Sequence, residues 1–250
     1  MRLFGIIGYP LGHSFSQNHF TAKFRKENLS DCSYRKFEIA SIDLLPSILK
    51  SEPDLCGFNV TIPYKVQVIK YLDDIDKTAD EIGSVNTVRV TRKNGKAFLK
   101  GFNTDALGFR ESLLNYLTAI PETAIILGTG GASKSVFYVL TELGIRSLLV
   151  SRDSEKGSYS YQTLPGREIA NAGLIVNTTP VGMAPAIDKC PPLEYDYLNG
   201  NQLLFDLIYN PPVTKFMQKG EERGCLAVNG EEMFLIQAEH AWRIWNENTK

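Results

Sequence analysis

The chain has 250 residues, 43% of them hydrophobic, and a formal net charge of −1 at pH 7. This length allows one large domain or two modest ones with a full apolar core. The near-zero charge, without a long run of one sign, argues against nucleic acid or an anionic membrane as the main partner. No stretch approaches the roughly 18 apolar residues of a membrane-spanning helix.

The cysteine and histidine patterns indicate neither a disulfide framework nor a metal site. Cys32, Cys56, Cys190 and Cys225 are scattered without C-x-x-C spacing. We therefore expect reduced thiols in a cytoplasmic protein. The three histidines lack the spacing and the carboxylate partners of metal ligands, so no metal is expected.

The first hundred residues alternate strand-like and helix-like segments, which predicts an α/β unit. Asn94-Gly95 is a hairpin signal that should return the chain antiparallel along Lys96–Phe102. Strands are expected at Leu3–Gly8, Tyr34–Ile39, Gly57–Thr61 and Val85–Val90, and helices at Ser16–Glu27, Ile42–Ser51 and Lys65–Leu72.

The remaining chain predicts a second unit with a small, doubly wound parallel sheet. A long helical pattern begins at Asp105 and leads into it, and Glu231–Asn246 is a strong terminal helix. The polar, weakly periodic stretch from Arg152 to Glu168 predicts a short crossover and a trimmed sheet. Strands are expected at Ala124–Leu127, Ser147–Val150, Gly173–Asn177, Gln202–Leu207 and Cys225–Val228.

A glycine cluster between an apolar run and a helical pattern is the most informative feature. Gly128, Gly130 and Gly131 follow Ile125–Leu127, and the helical pattern starts directly afterwards. Strand, tight turn and helix in that order let backbone N–H groups approach a dinucleotide pyrophosphate. A tight turn without a ligand is the structural alternative.

The end of the next strand is where a dinucleotide-binding fold selects its cofactor. An acidic side chain there accepts from a ribose 2′-hydroxyl, whereas an arginine accommodates a 2′-phosphate. Arg152 and Lys156 favour NADP, and Asp153 leaves NAD possible. Each of these charges could also be a solvated loop side chain.

Three polar clusters lie at strand ends in the first unit. Ser14 and Ser16 would point the same way in an extended segment and could anchor a carboxylate, although Ser16 could simply cap the next helix. Lys65 stands at a predicted helix start, where the helix dipole favours anions, so a reason other than helix stability is indicated. The third cluster joins Asn86 to Asp105, which could also be a helix N-cap.

Taken together, these motifs resemble the shikimate dehydrogenase family. They follow in the family's order over nearly the whole chain, and N-V-T-x-P-x-K with G-x-N-T-D is quite specific. The matching pieces are G-Y-P-L-G-H-S-F-S at 8–16, N-V-T-I-P-Y-K at 59–65, S-V-N-T at 84–87, G-F-N-T-D at 101–105, G-T-G-G-A at 128–132, N-T-T-P-V-G-M at 177–183, D-L-I-Y-N-P-P-V-T at 206–214 and N-G-E-E-M-F-L-I-Q-A at 229–238.

The resemblance implies two α/β domains with a cleft between them. A substrate-binding domain would span 1–104, completed by the terminal helix at 231–250, and a Rossmann-like NADP-binding domain would span 105–230. It also implies the reversible reduction of 3-dehydroshikimate to shikimate with NADPH, a step of chorismate and aromatic amino acid biosynthesis. A small-molecule substrate and a monomer or homodimer are expected.

Residue roles carry over by motif. Lys65 matches the catalytic lysine, paired with Asp105. The resemblance assigns the substrate carboxylate to Ser14, Ser16 and Thr61, and the ring hydroxyls to Asn86, Asp105 and Gln237, with Tyr209 also on the substrate side. The cofactor positions are Gly128, Gly130, Gly131, Ala132, Ser151, Arg152, Lys156, Thr178 and Met183.

The chain departs from the family pattern at several positions. Gln17 replaces a usual proline, and Ser151 and Asp153 replace the usual Asn and Thr beside Arg152. The chain is also shorter than is typical, with the shortfall after Arg152. Two alternatives therefore remain: a quinate/shikimate dehydrogenase that uses NAD, and a non-catalytic nucleotide-binding paralogue, whose expected signature is loss of the lysine or the aspartate.

Overall fold

A computed structural model describes residues 1–12, 15–153 and 155–247. The chain divides into two compact units. Unit 1 comprises Met1–Thr104 together with the chain from Ala238 onward, and unit 2 is Asp105–Gln237. Each unit is an α/β structure built on one sheet, which confirms the predicted fold class.

Unit 1 contains a mixed sheet in the order β2-β1-β3-β5-β6-β4. Strand β1 is parallel to both of its neighbours, whereas β5 is antiparallel to β3 and β6. In chain order the elements are β1 (Arg2–Gly8), α1 (Ser16–Lys26), β2 (Cys32–Glu38), α2 (Leu45–Ser51), β3 (Leu55–Val60), β4 (Asp74–Ile75), α3 (Lys77–Ile82), β5 (Thr87–Lys93) and β6 (Lys96–Phe102).

The hairpin prediction is confirmed, because β5 and β6 are joined by the two residues Asn94 and Gly95. Both have positive φ, 51° and 77°. Two consecutive left-handed residues form the tight turn whose twist matches paired strands. The register from Thr87 opposite Phe102 to Lys93 opposite Lys96 follows from this turn.

Two predicted helices of unit 1 differ in the structure. The segment Lys65–Leu72 is not an α-helix: Lys65 lies in a turn, and only a 3-10 helix, Gln67–Tyr71, follows. The β-branched side chains of Val66, Val68 and Ile69 have restricted rotamers in a helix, which weakens this short segment. Ile42–Ser51 is also divided, since α2 begins only at Leu45 with a proline in its first turn.

Helix α3 and strand β4 were not predicted, although α3 has recognisable ends. The Asp76 carboxylate accepts from the Thr78 amide at 3.0 Å and caps the helix start. Gly83, at φ 64°, ends it in the left-handed conformation. Six residues are too few for a periodic apolar pattern to stand out.

Unit 2 contains a parallel sheet in the order β12-β11-β10-β7-β8-β9. The chain moves outward from β7 in one direction and then from β10 in the other, as in a doubly wound Rossmann-like fold. From α4 to the terminal helix the elements are α4 (Thr104–Tyr116), β7 (Thr123–Leu127), α5 (Gly131–Glu142), β8 (Arg146–Ser151), β9 (Tyr159–Ser160), α6 (Gly166–Asn171), β10 (Leu174–Asn177), β11 (Leu203–Asp206), α7 (Lys215–Glu221), β12 (Leu226–Val228) and α8 (Glu231–Asn246).

The expected trimming after Arg152 is confirmed. Strand β9 has two residues and α6 has six. Only seven residues, 152–158, connect the parallel strands β8 and β9, whereas a crossover between parallel strands usually takes a dozen or more. The sheet therefore narrows on the β8 side, next to the segment that begins at Arg152.

The last turns of α8 belong to unit 1 and complete its core. Trp245 is 6% exposed, stacks on Phe4 with ring centroids 5.1 Å apart, and donates from Nε1 to the Val88 carbonyl at 3.0 Å. Gly57 makes room for it, because a Cβ at Gly57 would lie 2.2 Å from the indole.

Asp206, at the end of β11, is a fully buried carboxyl in unit 2. Burial raises its pKa to about 7, while hydrogen bonds from Thr214, the Ile208 amide and Asn177 act in the opposite direction. These three partners carry no charge, so loss of hydration outweighs their donors.

We expect Trp245→Ala to lower the free energy of unfolding by about 3–5 kcal/mol, since it removes a buried aromatic side chain and its hydrogen bond. Leu235, also on α8, is 43% exposed and serves as the control. Leu235→Ala should change the free energy of unfolding by less than about 0.5 kcal/mol. Urea unfolding followed by circular dichroism measures both, and equal losses would contradict the packing assigned to Trp245.

Asp206 should also make the stability depend on pH. Its pKa is raised above the ordinary 3.8, so the folded state retains a proton that the unfolded state releases. Its contribution to stability therefore falls as the pH rises from about 4 to about 7, with a limiting slope of about 1.4 kcal/mol per pH unit. Asp206→Asn lacks this term.

Urea unfolding of both proteins at several pH values between 4 and 8 tests this expectation. The free energy of unfolding of Asp206→Asn minus that of wild type should rise with pH up to about pH 7 and then level off. A difference that does not change with pH would contradict the assignment.

Candidate functional site

The glycine turn of unit 2 has the predicted strand–turn–helix geometry. Gly128 follows β7 with φ 108°, and a Cβ there would lie 2.8 Å from the Thr178 hydroxyl, so both conformation and space require glycine. Gly130 is the N-cap of α5, without a side-chain cap. The first amides of α5, from Gly131 and Ala132 onward, thus belong to a helix N-terminus suited to an anion.

The loop after β10 lies beside this turn. Thr178 donates from its amide and from Oγ1 to the Leu127 carbonyl, at 3.0 and 2.7 Å. Strands β7 and β10 are neighbours at the point where the strand order reverses, which is where doubly wound sheets bind ligands. Met183, also on this loop, is half-buried.

The chain after β8 presents four charged side chains: Arg152, Asp153, Glu155 and Lys156. Arg152 and Asp153 are exposed, and Lys156 forms an ion pair with Asp153 at 3.1 Å. Lys156 also holds the pKa of Asp153 below its usual range. The acidic group is therefore ionised and partly neutralised by a neighbour, while the Ser151 hydroxyl accepts from the Asp153 amide at 3.2 Å.

These residues fit a dinucleotide. Apart from Gly130 itself and its chain neighbours, no described residue has an atom within 4 Å of the position that a Cβ would take at Gly130, so the backbone there is accessible to a phosphate. Arg152 is placed at the end of the strand next to β7, the position that distinguishes a 2′-phosphate from a 2′-hydroxyl.

In unit 1, Asn86 and Thr104 are joined by a pair of buried hydrogen bonds. The Thr104 amide donates to Asn86 Oδ1 at 2.7 Å, and Asn86 Nδ2 donates to Thr104 Oγ1 at 2.9 Å. Their exposed fractions are 3% and 0%. The pair therefore holds the start of α4, just after β6, next to Asn86, which directly precedes β5.

A second layer of polar side chains supports this pair. Asn59 Nδ2 donates to Thr87 Oγ1 at 3.2 Å, and Asn59 Oδ1 accepts from the Tyr34 hydroxyl at 2.8 Å. Thr87 and Thr104 share a hydroxyl contact of 3.0 Å. Because unpaired polar groups are costly to bury, these partners favour one arrangement of the strand ends.

Lys65 is attached to the same framework through its backbone. The Val85 amide donates to the Lys65 carbonyl at 2.8 Å, directly before Asn86. Thr61 lies at the end of β3, half-buried, and a Cβ at Gly8 would lie 2.4 Å from its methyl group. Unit 1 therefore places Thr61 directly after β3 and Asn86 directly before β5, and the turn that contains Lys65 is hydrogen-bonded to the residue before Asn86.

Asp105 follows Thr104 directly and is 7% exposed. Helix α4 begins at Thr104, so Asp105 lies inside the first turn and the N-cap interpretation is wrong. One peptide bond, about 3.8 Å between Cα atoms, separates it from the residue that Asn86 holds.

The serine pair is described only in part. Ser14 lies outside the described residues. Ser16 is buried and is the first residue of α1, with Phe15 at the N-cap. Ser16 therefore begins the helix predicted at Ser16–Glu27, so the condition of an extended segment is not met at this residue, and the alternative that Ser16 caps the helix is wrong.

Tyr209 and Gln237 are both close to Phe234 within unit 2. The rings of Tyr209 and Phe234 stack with centroids 4.9 Å apart, and Gln237 Nε2 donates to the Phe234 carbonyl at 3.1 Å. Burial raises the pKa of Tyr209 to about 12. Gly108 allows α8 to approach α4, since a Cβ there would lie 2.6 Å from the Met233 carbonyl.

Four supporting residues were not predicted from the sequence: Asn59, Thr87, Thr104 and Asp206. The available signal was a polar residue within or directly after an apolar strand, such as Asn59 between Phe58 and Val60. Such a residue must be paired if it is buried, but a single sequence does not identify the partner.

Other kinds of site are absent from the described ranges. There, no three His, Cys, Asp or Glu side chains are grouped so that they could hold a metal ion. No helix between residues 1 and 247, outside the undescribed positions, is long and apolar enough to cross a membrane.

Comparison with known proteins agrees with both units. Residues 6–88 match the family model described as the shikimate dehydrogenase substrate binding domain. The shikimate dehydrogenase (NADP(+)) of Aquifex aeolicus is 37% identical over 256 residues, which cover 98% of this chain and 91% of that protein.

Two solved structures extend the similarity. Thermus thermophilus shikimate 5-dehydrogenase in complex with NADP(H) and shikimate has a TM-score of 0.86 at 29% identity, covering 99% of this chain and 94% of that one. The Listeria monocytogenes enzyme in complex with shikimate and NAD has a TM-score of 0.76 at 27% identity, covering 99% and 92%. With a relative 37% identical over nearly its whole length, this chain belongs to the shikimate dehydrogenase family.

Proposed function

We propose that this protein catalyses the NADPH-dependent, reversible reduction of 3-dehydroshikimate to shikimate, a step of chorismate and aromatic amino acid biosynthesis. The similarity to NADP-dependent shikimate dehydrogenases over nearly the whole chain carries this proposal. The two residues needed for acid–base chemistry, Lys65 and Asp105, are both present. This argues against a non-catalytic paralogue.

The bound cofactor supplies a hydride to the ketone carbon, which leaves negative charge on the carbonyl oxygen. The Lys65 ammonium stabilises this charge and donates the proton, and as an amine it removes the proton in the reverse direction. Asp105 orients the ammonium toward the substrate. The Asn86–Thr104 pair supports both roles, since Lys65 and Asp105 are attached to it through backbone.

The remaining proposed roles follow the family motifs. Ser14, Ser16 and Thr61 bind the substrate carboxylate, and Asn86, Asp105 and Gln237 bind the ring hydroxyls, with Tyr209 beside them. On the cofactor side, Gly128, Gly130, Gly131 and Ala132 hold the pyrophosphate, and Arg152 and Lys156 bind the 2′-phosphate, with Ser151 as the flanking cofactor position. Thr178 and Met183 lie beside the nicotinamide.

We also propose a cytoplasmic protein, monomeric or homodimeric, without nucleic acid or membrane partners. All four cysteines are free thiols, as is usual in a reducing compartment. The main alternative is a quinate/shikimate dehydrogenase that also uses NAD. Asp153 favours this alternative, because an acidic group at this strand end suits a 2′-hydroxyl.

Absorbance at 340 nm, with purified protein, shikimate or quinate, and NADP or NAD, tests the proposal. Fast reduction of NADP with shikimate alone is expected. Comparable rates with NAD or quinate would support the alternative, and folded protein without turnover in any pair would contradict both.

Lys65→Ala should lower kcat by about 100-fold or more, the usual scale of a general acid–base group. Lys70→Ala is the matched control, because Lys70 is an exposed lysine of the adjoining 3-10 helix, paired with Asp43. Steady-state kinetics at saturating shikimate and NADP measures both. A normal kcat with a raised KM would make Lys65 a binding residue.

Asp153→Asn should raise the ratio of kcat/KM for NADP to that for NAD by about fivefold, on the order of one screened charge–charge contact. The change removes a negative charge near the proposed 2′-phosphate position and frees Lys156. Glu155→Gln, an exposed acid two residues away, should leave the ratio nearly unchanged. An unaltered ratio in Asp153→Asn would contradict the role of this side chain in cofactor choice.

A further inference from the structure

Asp206 connects the two loops that follow β10 and β11. Its Oδ1 accepts from Asn177 Nδ2 at 2.9 Å and from the Ile208 amide at 3.0 Å, and its Oδ2 accepts from Thr214 Oγ1 at 2.6 Å. The side chain has no exposed surface. One carboxyl thus joins the end of β10, its own loop and the start of α7.

The first branch leads to the loop beside the glycine turn. Asn177 Oδ1 accepts from the amide and the hydroxyl of Thr179, at 3.0 and 2.7 Å. Thr178, between them, donates to the carbonyl of Leu127 at the end of β7. Asp206 therefore fixes the amide orientation of Asn177, and Asn177 fixes the first residues of the Thr178–Met183 loop.

The second and third branches hold the loop that carries Tyr209. The Ile208 amide donates to Asp206, and the Ile208 carbonyl accepts from the Gly230 amide at 3.1 Å. Thr214 closes the loop and caps α7 by accepting from Met217 N. The two loops also touch, because a Cβ at Gly182 would lie 3.7 Å from the Thr214 Cβ and 3.8 Å from Ile208.

A carboxyl is an expensive residue for packing alone. Burying an ionisable group carries a desolvation cost, and an apolar side chain of similar size would commonly be as stable. Two acceptor oxygens, however, can hold three donors from separate segments at fixed angles. This favours a role in which loop geometry matters.

We propose that Asp206 is a positioning residue for hydride transfer, which holds the Thr178–Met183 loop and Tyr209 in their productive places. The inference rests on the proposed function, since it assigns these loops to the nicotinamide end and to the substrate. Asp206 itself is not proposed to contact the nicotinamide or the substrate. It acts through Asn177 and Ile208.

The experiment compares Asp206→Ala, Asp206→Asn and Gln202→Ala. Gln202 is the matched control, because it is a buried polar residue at the opposite end of β11. It is 2% exposed, directly precedes the strand, and donates to the Ala170 carbonyl at 3.2 Å. Initial rates at saturating shikimate and NADP, both KM values and thermal midpoints are measured for each protein. NADPH fluorescence measures cofactor binding separately.

We expect Asp206→Ala to lower kcat by about tenfold to a hundredfold, the scale of a misplaced reacting group. Asp206→Asn should stay within about threefold of wild type, because its amide oxygen accepts from Asn177 and Ile208 while its NH₂ donates to Thr214. Gln202→Ala should lower the thermal midpoint comparably to Asp206→Ala, with kcat near wild type.

Two results would overturn the proposal: equal kcat losses in Asp206→Ala and Gln202→Ala, or a failure of Asp206→Asn to restore the rate. If Asp206→Ala does not fold, Asn177→Ala breaks only the first branch and should still lower kcat by about tenfold. A wild-type rate in Asn177→Ala would overturn the proposal as well.

The wild-type rate separates this inference from the proposed function. A wild-type protein without turnover removes the proposed function, and the positioning role with it. Normal wild-type turnover with unaffected variants removes only the positioning role.

Discussion

The structure of unit 1 depends on one constraint: buried polar side chains at the strand ends must satisfy one another. Asn86 and Thr104 do this with two reciprocal hydrogen bonds, at 2.7 and 2.9 Å. Because either residue alone would leave a buried donor or acceptor unpaired, the strand ends have one favourable register. The Lys65 carbonyl accepts from the amide of Val85, the residue before Asn86, and Asp105 follows Thr104 directly. The same bonds therefore also hold the backbone of Lys65 and Asp105.

In unit 2 the polar groups at the strand ends are arranged differently. The turn after β7 exposes backbone amides rather than side chains, which requires the positive φ of Gly128 and the space beside Gly130. The neighbouring loops have no regular structure of their own, and buried hydrogen bonds to Asp206 hold them instead. Hydrogen bonds to a buried carboxyl at the end of the sheet thus keep these loops in place, although the loops have no backbone ladder of their own.

Much of this arrangement was predictable from the sequence, where local chemistry determines the outcome. The Asn94-Gly95 turn and the glycine cluster are specified by residues that few other conformations favour, and the apolar strands by their composition. The helix predicted at Lys65 was wrong because three β-branched residues outweigh a weak periodicity. The networks around Asn59 and Asp206 were not predictable, because each includes partners 25 to 29 residues away, Tyr34 and Thr87 for Asn59 and Asn177 for Asp206, that only the folded sheet brings close.

We propose that unit 1 binds shikimate and that unit 2 binds NADP. Hydrogen exchange with mass spectrometry tests this assignment most directly. Amide exchange would be compared for free protein, protein with shikimate alone and protein with NADP alone. Shikimate should slow exchange in peptides covering 59–65 and 84–104, and NADP in peptides covering 127–133 and 151–156. Protection of the glycine-turn peptides by shikimate, or of the 59–65 peptides by NADP alone, would contradict the account.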